Sequence, residues 1–466
     1  MATVIADTIV VTVDAEDAIH YDAAVAIEDG KIAAVGHSAD IRSRYADADT
    51  VDGKGKAVFP GFANIHTHFS LIIAKGIYED LSPPNKPPFV GSGLAPIPVP
   101  ELSREEMIAM TRLAALEAIR SGTTAVLEDG RDLDDYAKEI ADTGLRLLLC
   151  EKAWDKAKGG IGDQGGFEVN AALGETCIRK IEALHAKWNG ARNGRITVGV
   201  AAWAPDMCSP DLLRKLRALQ DKLDTVATIH LNQLWGEVAA VETVRGKKPT
   251  EYLAEIGFLN DRLICAHCRC MAPNEEQILG GSRAGVAFNS CIAARRGLSP
   301  RIHDLEAFGC TIGMGTDNMA EDMVEVMRTG MFMERVRRGD GRAPRPEDAL
   351  RWATANGYRL MGIPDGGSLE AGKKADLIMI DLASAHMVPR LRIVSTFVHQ
   401  GQARDVTDVM IDGSWVMRDG AVLTMDEAAT VAEAQRVSEA AWARLFSQRP
   451  DLKRPPGWHP VAQAAG

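Results

Sequence analysis

The middle of this chain repeats one alternation eight times, and that repetition constrains the fold more than any other feature. Strand-like apolar runs occur at "ANIHTH", "TTAVLED", "RLLLCEK", "ITVGVAAW", "VATIHLN", "LICAH", "GVAFNS" and "CTIGMGTDN", with helical patterns between most of them. Eight alternating βα units predict an α/β protein built on a (β/α)8, or TIM, barrel, placed here at residues 59–365. The clearest helix begins at Ser103, where "SREE" sets Glu106 for a capping box, and it stops at Gly122. After the first strand, "SPPNKPPFVGSGLAPIPVP" is too rich in Pro and Gly for a regular helix and reads as a long loop over the barrel mouth. "KGGIGDQGG", after the third strand, is a second such loop. A phosphate cradle would need a following Gly-Lys-Ser/Thr and a helix, and neither is there.

The flanks have a different texture. Residues 1–58 alternate apolar and polar positions around turns at "EDGK" and "DGKGK". The pattern returns in "GSLEAGKKADLIMIDL" and "DVMIDGSWVMRDGAVL". Residues 1–58 and 366–425 are therefore expected to share one small composite β-sandwich, with 426–466 as a C-terminal helical extension. A length of 466 residues suits one large domain plus a smaller one.

Charge narrows the partners. A net charge of -11 with no basic cluster argues against nucleic acid. No apolar run approaches the roughly 20 residues that span a bilayer, so no membrane partner is expected. "MATVIADTIVVTVDAED" reads as a first strand, not a signal peptide, which makes the cytoplasm the expected location. The eight cysteines, including the cluster in "LICAHCRCMAP", have no second matching CxxC pair and read as reduced core residues. A homo-oligomer, dimer or tetramer, acting on a small molecule is expected.

Histidines supply the chemistry. His66 and His68 share three positions at the end of strand one, and residues two apart on a strand project to the same face. Working residues of such barrels sit at the C-terminal strand ends. His230 ends strand five, His267 strand six and Asp317 strand eight. Each alone reads best as a hydrogen-bonded structural residue, but together at one rim they read as a metal site. Imidazoles with a carboxylate suit Zn²⁺ or Fe²⁺ and leave room for a water.

The chain resembles the metal-dependent amidohydrolase superfamily, in its branch of cytosine-deaminase-like and s-triazine hydrolases. The resemblance rests on "PGFANIHTH", "SGTTAV", "APDMCSPDLL", "GTDN" and "GSLEAGKKADLIMID". It implies a single divalent transition metal per chain, Zn²⁺ first and Fe²⁺ as the alternative, held by His66, His68, His230 and Asp317. It makes His267 the residue that orients the attacking water, and Asp317 the general base. No lysine ends strand four, so the carboxylated-lysine bridge of two-metal relatives is not expected. Loss of His66, His68 or Asp317 would have marked a metal-free binding protein, and all three are present.

Three positions depart from that pattern. Deaminases of the branch carry a glutamate where "HLNQLWGE" has Gln233, and an amide cannot cycle a proton at ordinary pH. Glu237, one helical turn on, is the candidate replacement. Trp203 stands where relatives often have a substrate-contacting histidine, and reads either as rim packing or as an aromatic wall for the substrate. Phe288 stands in place of another histidine and is expected, with Gln233 and Trp203, to contact substrate; Arg295 and Arg296, which follow it, could face substrate or solvent. A ring amidine needs its nitrogen protonated before water adds, whereas an amide, urea or carbamate carbonyl does not. The departures therefore favour hydrolysis of an amide-, urea- or carbamate-type C–N bond in a fairly apolar molecule, as in the similar phenylurea and molinate hydrolases. Deamination of a nitrogen heterocycle is the alternative.

Overall fold

The computed structural model of this chain describes residues 2–81 and 97–458. Eight parallel strands close into a barrel: Phe62–Thr67, Thr123–Gly130, Arg146–Ala153, Ile196–Ala202, Ala227–Leu231, Leu263–His267, Gly285–Phe288 and Thr311–Met314. The last strand pairs with the first through Met314 and Asn64. Every expected run is one of these strands. Their residues are almost all buried, as a parallel sheet covered on both faces requires, and so the runs read as continuously apolar. Ile65, Leu127, Leu148, Cys150 and Ile264 pack together with Tyr358 and Leu360 of the helix Ala355–Leu360.

Helices return the chain between strands. In Arg104–Arg120 the Ser103 hydroxyl accepts from the Glu106 N–H at 3.3 Å, and the Glu106 carboxylate accepts from the Ser103 N–H at 2.9 Å. That is the expected capping box, and Gly122 follows with φ of +91°. The helix Glu427–Gln448 lies against this one, with Trp442 buried and its indole N–H donating to the Ile73 carbonyl at 2.9 Å.

A second, mixed sheet is assembled from both ends of the chain. Thr3–Val11, Ile19–Glu28, Lys31–His37, Asp49–Asp52 and Lys56–Pro60 come from the N-terminal side. Leu377–Asp381, Val406–Ile411, Ser414–Arg418 and Ala421–Val422 come from the C-terminal side. The halves meet where Lys56–Pro60 runs antiparallel to Leu377–Asp381. This arrangement agrees with the composite β-sandwich expected. Lys56–Pro60 leads through Gly61 into the first barrel strand, where an added Cβ would lie 2.1 Å from Thr124 Oγ1. A buried ionic joint fastens sheet to barrel. Arg146 grips Asp376 through Nε at 2.7 Å and Nη2 at 3.1 Å, and Asp376 also accepts from Tyr358 Oη at 2.8 Å.

Of the Pro- and Gly-rich stretch read as a mouth loop, only 97–100 falls among the described residues; there Val99 and Pro100 border the central cavity. All eight cysteines are buried and free of disulfides. Among the described residues no helix is long and apolar enough to cross a membrane.

Candidate active site

The C-terminal ends of the strands converge on a cavity of about 580 Å³. His68 lines it at the end of strand one and His66 is buried beside it, where the pairing ladder shifts register between Asn64 and Thr67. Such an irregularity re-aims side chains at a barrel rim. Their rings lie 4.8 Å apart, nearly perpendicular, and the His66 ring is also 4.8 Å from His230 and 5.2 Å from His267. His267 and Asp317 hold left-handed backbone, with φ of +82° and +70°. That conformation is uncommon outside glycine and tends to persist at functional sites. Gly315, just before Asp317, leaves no room for a side chain, because a Cβ there would lie 2.7 Å from the His66 carbonyl oxygen.

Hydrogen bonds set the tautomers. His68 Nδ1 lies 2.5 Å from the Asp129 carbonyl oxygen, and His230 Nδ1 lies 2.7 Å from that of Trp203. Each Nδ1–H therefore donates to backbone, which leaves both Nε2 lone pairs free. Those two Nε2 atoms face each other at 3.2 Å, a spacing that suits a shared cation. Both ring nitrogens of His66 are buried, with no hydrogen-bond partner among the described residues. His267 differs. The Asn289 amide donates to its Nδ1 at 3.1 Å, placing the ring proton on Nε2, 4.0 Å from Asp317 Oδ2.

Burial keeps these groups uncharged. His66 is pushed down to about 3, chiefly by loss of solvent and then by Lys152 and Arg269. His68, His230 and His267 are depressed well below the usual imidazole range, again mainly by burial. Burial raises Asp317 to about 6, opposed by Arg269, Arg296 and Lys152. Neutral imidazoles beside carboxylates are the protonation states a metal requires. The potential ligand atoms of His66, His68, Asp129 and His230 all lie within 4.8 Å of one another, as do those of His66, His267 and Asp317. This buried cluster is capable of coordinating one divalent metal ion.

Asp129 is the residue that sequence reasoning missed. It ends strand two in "TTAVLEDG", both its carboxylate oxygens are buried without a hydrogen-bond partner, and burial raises it to about 6. Lys152, from the end of strand three, sits 3.6 Å from it and also lines the cavity. The strand-end rule that singled out the histidines would have found both.

The remaining expected contacts divide. Trp203 lines the cavity, its ring 5.2 Å from that of Trp154 and 5.6 Å from the Lys152 ammonium. Gln233 also lines it, with Nε2 buried and unpartnered. Glu237 does not. Its two oxygens accept from the backbone N–H groups of Asn232 and Gln233 at 2.9 and 2.8 Å, so it braces the turn after strand five. Phe288 must be corrected from a substrate contact to a core residue. It is fully buried and packs outward against Gly330 of the helix Met323–Arg338, away from the cavity lining. Arg296 lines the cavity and Arg295 does not.

Comparison with known proteins agrees with this geometry. The amidohydrolase family model matches residues 57–416, and a model of the imidazolonepropionase-like composite domain of bacteria matches 23–48. The chain is 30% identical to a 5-methylthioadenosine/S-adenosylhomocysteine deaminase of Pelotomaculum thermopropionicum, covering 92% of this chain and 96% of that one. It is 32% identical to a 5'-deoxyadenosine deaminase of Methanothermobacter thermautotrophicus, covering 90% and 94%. Among solved structures, an adenosine deaminase from Xanthomonas campestris with bound zinc superposes with a TM-score of 0.83 at 25% identity, over 95% of this chain and 98% of that one. Atrazine chlorohydrolase from Arthrobacter aurescens shares the fold, with a TM-score of 0.82 at 19% identity over 94% and 100%. With its barrel, its strand-end histidines and a family match over most of its length, this chain belongs to the amidohydrolase family.

Proposed function

We propose that this protein is a metal-dependent aminohydrolase that removes an exocyclic amino group from a purine- or triazine-like ring. The observation that carries the reading is the buried set of unprotonated imidazoles around His66, opening on a cavity large enough for such a ring. The relatives support ring deamination over the amide, urea or carbamate hydrolysis expected from Gln233. Their zinc-containing structural counterpart supports Zn²⁺ over Fe²⁺.

In this reading His66, His68 and His230 hold the ion and Asp317 completes the set, while Asp129 backs the histidine pair with Lys152 beside it. A divalent metal held there supplies Lewis-acid activation of water at neutral pH. Asp317, raised to about 6, is poised to take a proton from that water and pass it to the departing nitrogen. His267 presents its Nε2–H beside Asp317, where it can donate to charge that develops at the attacked carbon. Trp203 offers an aromatic wall for a flat ring.

A second reading is kept because of one specific observation. Gln233 faces the cavity with an amide that can donate a hydrogen bond but not a proton, and Glu237 is turned into the backbone. That combination suits a carbonyl substrate. One panel separates the two: ammonia release from aminopurines and aminotriazines, against amine release from anilides, phenylureas and carbamates, with metal-loaded enzyme. Ammonia release without anilide, urea or carbamate cleavage supports deamination, and the reverse pattern replaces it with the carbonyl reading.

A further inference from the structure

One wall of the cavity carries donors with nothing to donate to. Arg269 is only 8% exposed and commits its Nε to the Gln233 carbonyl at 3.0 Å. Its Nη1, the Nη1 of Arg296 and the Nε2 of Gln233 are all buried, and among the described residues none has a hydrogen-bond partner. All three residues line the cavity. Neither guanidinium has an ion pair among the described residues. Of the nearby acids, Asp129 faces Lys152 at 3.6 Å and Asp132 pairs with Lys180, while Asp317, 3.6 to 4.0 Å from the neutral imidazoles, acts on both arginines without an ion pair to either.

Leaving a charged donor buried without an acceptor costs its full desolvation, and natural structures rarely tolerate this away from a site. Burial works against the charged form of both arginines; Asp317 favours that form in each, and Arg296 repels Arg269. We infer that Arg269, Arg296 and Gln233 form an oxyanion-recognising subsite, and that the substrate bears a carboxylate beyond its reacting carbon. Asp317 is the carboxylate whose charge reaches both arginines, and it stands among the metal-site residues; a neutral carbonyl on the ligand would satisfy one or two hydrogens but bring no charge to this wall, where Arg269 is buried and Arg296 partly buried. A carboxylate supplies both, and planar guanidinium forks suit its geometry. A merely structural part for Arg269, bracing the turn at Gln233, uses Nε alone and is indifferent to ligand charge.

The subsite rests on reading this cavity as the substrate site, but it can fail separately from deamination. The probes are 3-(adenin-9-yl)propanoate and its primary amide, which differ only in the charge of the side group. Calorimetric Kd values are measured on metal-loaded wild type and on Arg296→Gln, with ring deamination followed in parallel by the adenine-to-hypoxanthine absorbance change, because hydrolysis of the primary amide would itself release ammonia. Arg296 makes no hydrogen bond through the side-chain atom in question, so its replacement should fold; the salt dependence of wild-type binding provides a measurement independent of any variant. The carboxylate should bind wild type about tenfold more tightly than the amide, a preference that salt weakens and that Arg296→Gln largely removes. Equal affinities, no binding of either probe, or a preference that survives Arg296→Gln (the carboxylate then sitting on the metal) would overturn the subsite. Ring deamination of both probes at equal efficiency would sink the subsite and leave deamination standing. A charge preference lost in Arg296→Gln, with no ring deamination, would keep the subsite and remove deamination.

Discussion

The carboxylate of Glu237 accepts the backbone N–H of Gln233 at 2.8 Å, and through its other oxygen that of Asn232. The only acid near Gln233 in the sequence is thus consumed in shaping the turn that presents Gln233 to the cavity. It is fully buried, and burial raises its pKa well above the carboxylate range, with Asp206 adding to the effect. Glu237 acts on the backbone, and the cavity wall at this point is an amide.

Gln233→Glu tests what that amide means. If the enzyme deaminates a ring without a carboxylic acid at this position, adding one should raise ammonia release by about 10²–10⁴-fold, the usual worth of general acid catalysis. If a carbonyl is the target, the variant should gain nothing, because a second carboxylate then sits near Asp317. Steady-state kcat on the best substrate of each class decides between them.

Metal content should be about one ion per chain by elemental analysis. His66→Ala should lose the ion and the activity while keeping its circular dichroism, since His66 sits at a rim where both ring nitrogens lack partners among the described residues. Asp129→Asn is the sharper variant. The backbone carbonyl that holds His68 is unchanged by it; if the carboxylate, 3.6 Å from His230 Nδ1, backs the site, affinity for the ion should fall about 10–100-fold, as for other outer-shell partners. Unchanged affinity would reduce Asp129 to a partner of Lys152.

Metal uptake should depend on pH through the carboxylates and not the imidazoles. The histidines are held neutral by burial, His66 down to about 3, so they have no proton to lose near neutrality. Asp317 and, behind the histidines, Asp129 are both raised to about 6, so below that pH each carries a proton in the metal-free protein, and Asp317 must release its own to act as a ligand. Affinity should be flat above pH 7 and fall below 6, about tenfold per pH unit for each carboxylate deprotonated on binding. A steep loss already between pH 7 and 8 in calorimetric titrations would contradict this.

Asp376→Ala should be the most damaging change outside the cavity. It strips Arg146, which is 2% exposed, of its bidentate partner, and it removes the acceptor of Tyr358 and of the Asp412 N–H. Breaking one side of a buried ion pair typically costs about 3–5 kcal/mol where the remaining charge is left alone; Arg146 keeps Asp412 on its Nη2, so the loss should fall at the lower end of that range. Urea unfolding should show a loss of that size, and a loss under about 1 kcal/mol would mean that the sheet and the barrel do not depend on this joint.

The barrel was legible in the sequence because a parallel sheet buried on both faces must be written as continuous apolar runs, and eight of them leave few other folds. The composite sheet was legible because alternation of period two appears at both ends of the chain. The strand-end rule then pointed to His66, His68, His230 and His267, since histidine is rare and each stood out, and to Asp317 through its place in "GTDN" at the end of strand eight. Aspartate and lysine are common, so Asp129 and Lys152 did not stand out, although they obey the same rule. Other features depended on directions in space. Phe288 and Gln233 both follow or end a barrel strand, yet one side chain points outward to Gly330 and the other into the cavity. That Glu237 turns to the backbone, and that Arg269 and Arg296 meet on one wall, follows from turn geometry and from loops far apart in the chain. Periodicity along a strand determines which faces are apolar. Only the closed barrel determines which polar groups are brought together without partners.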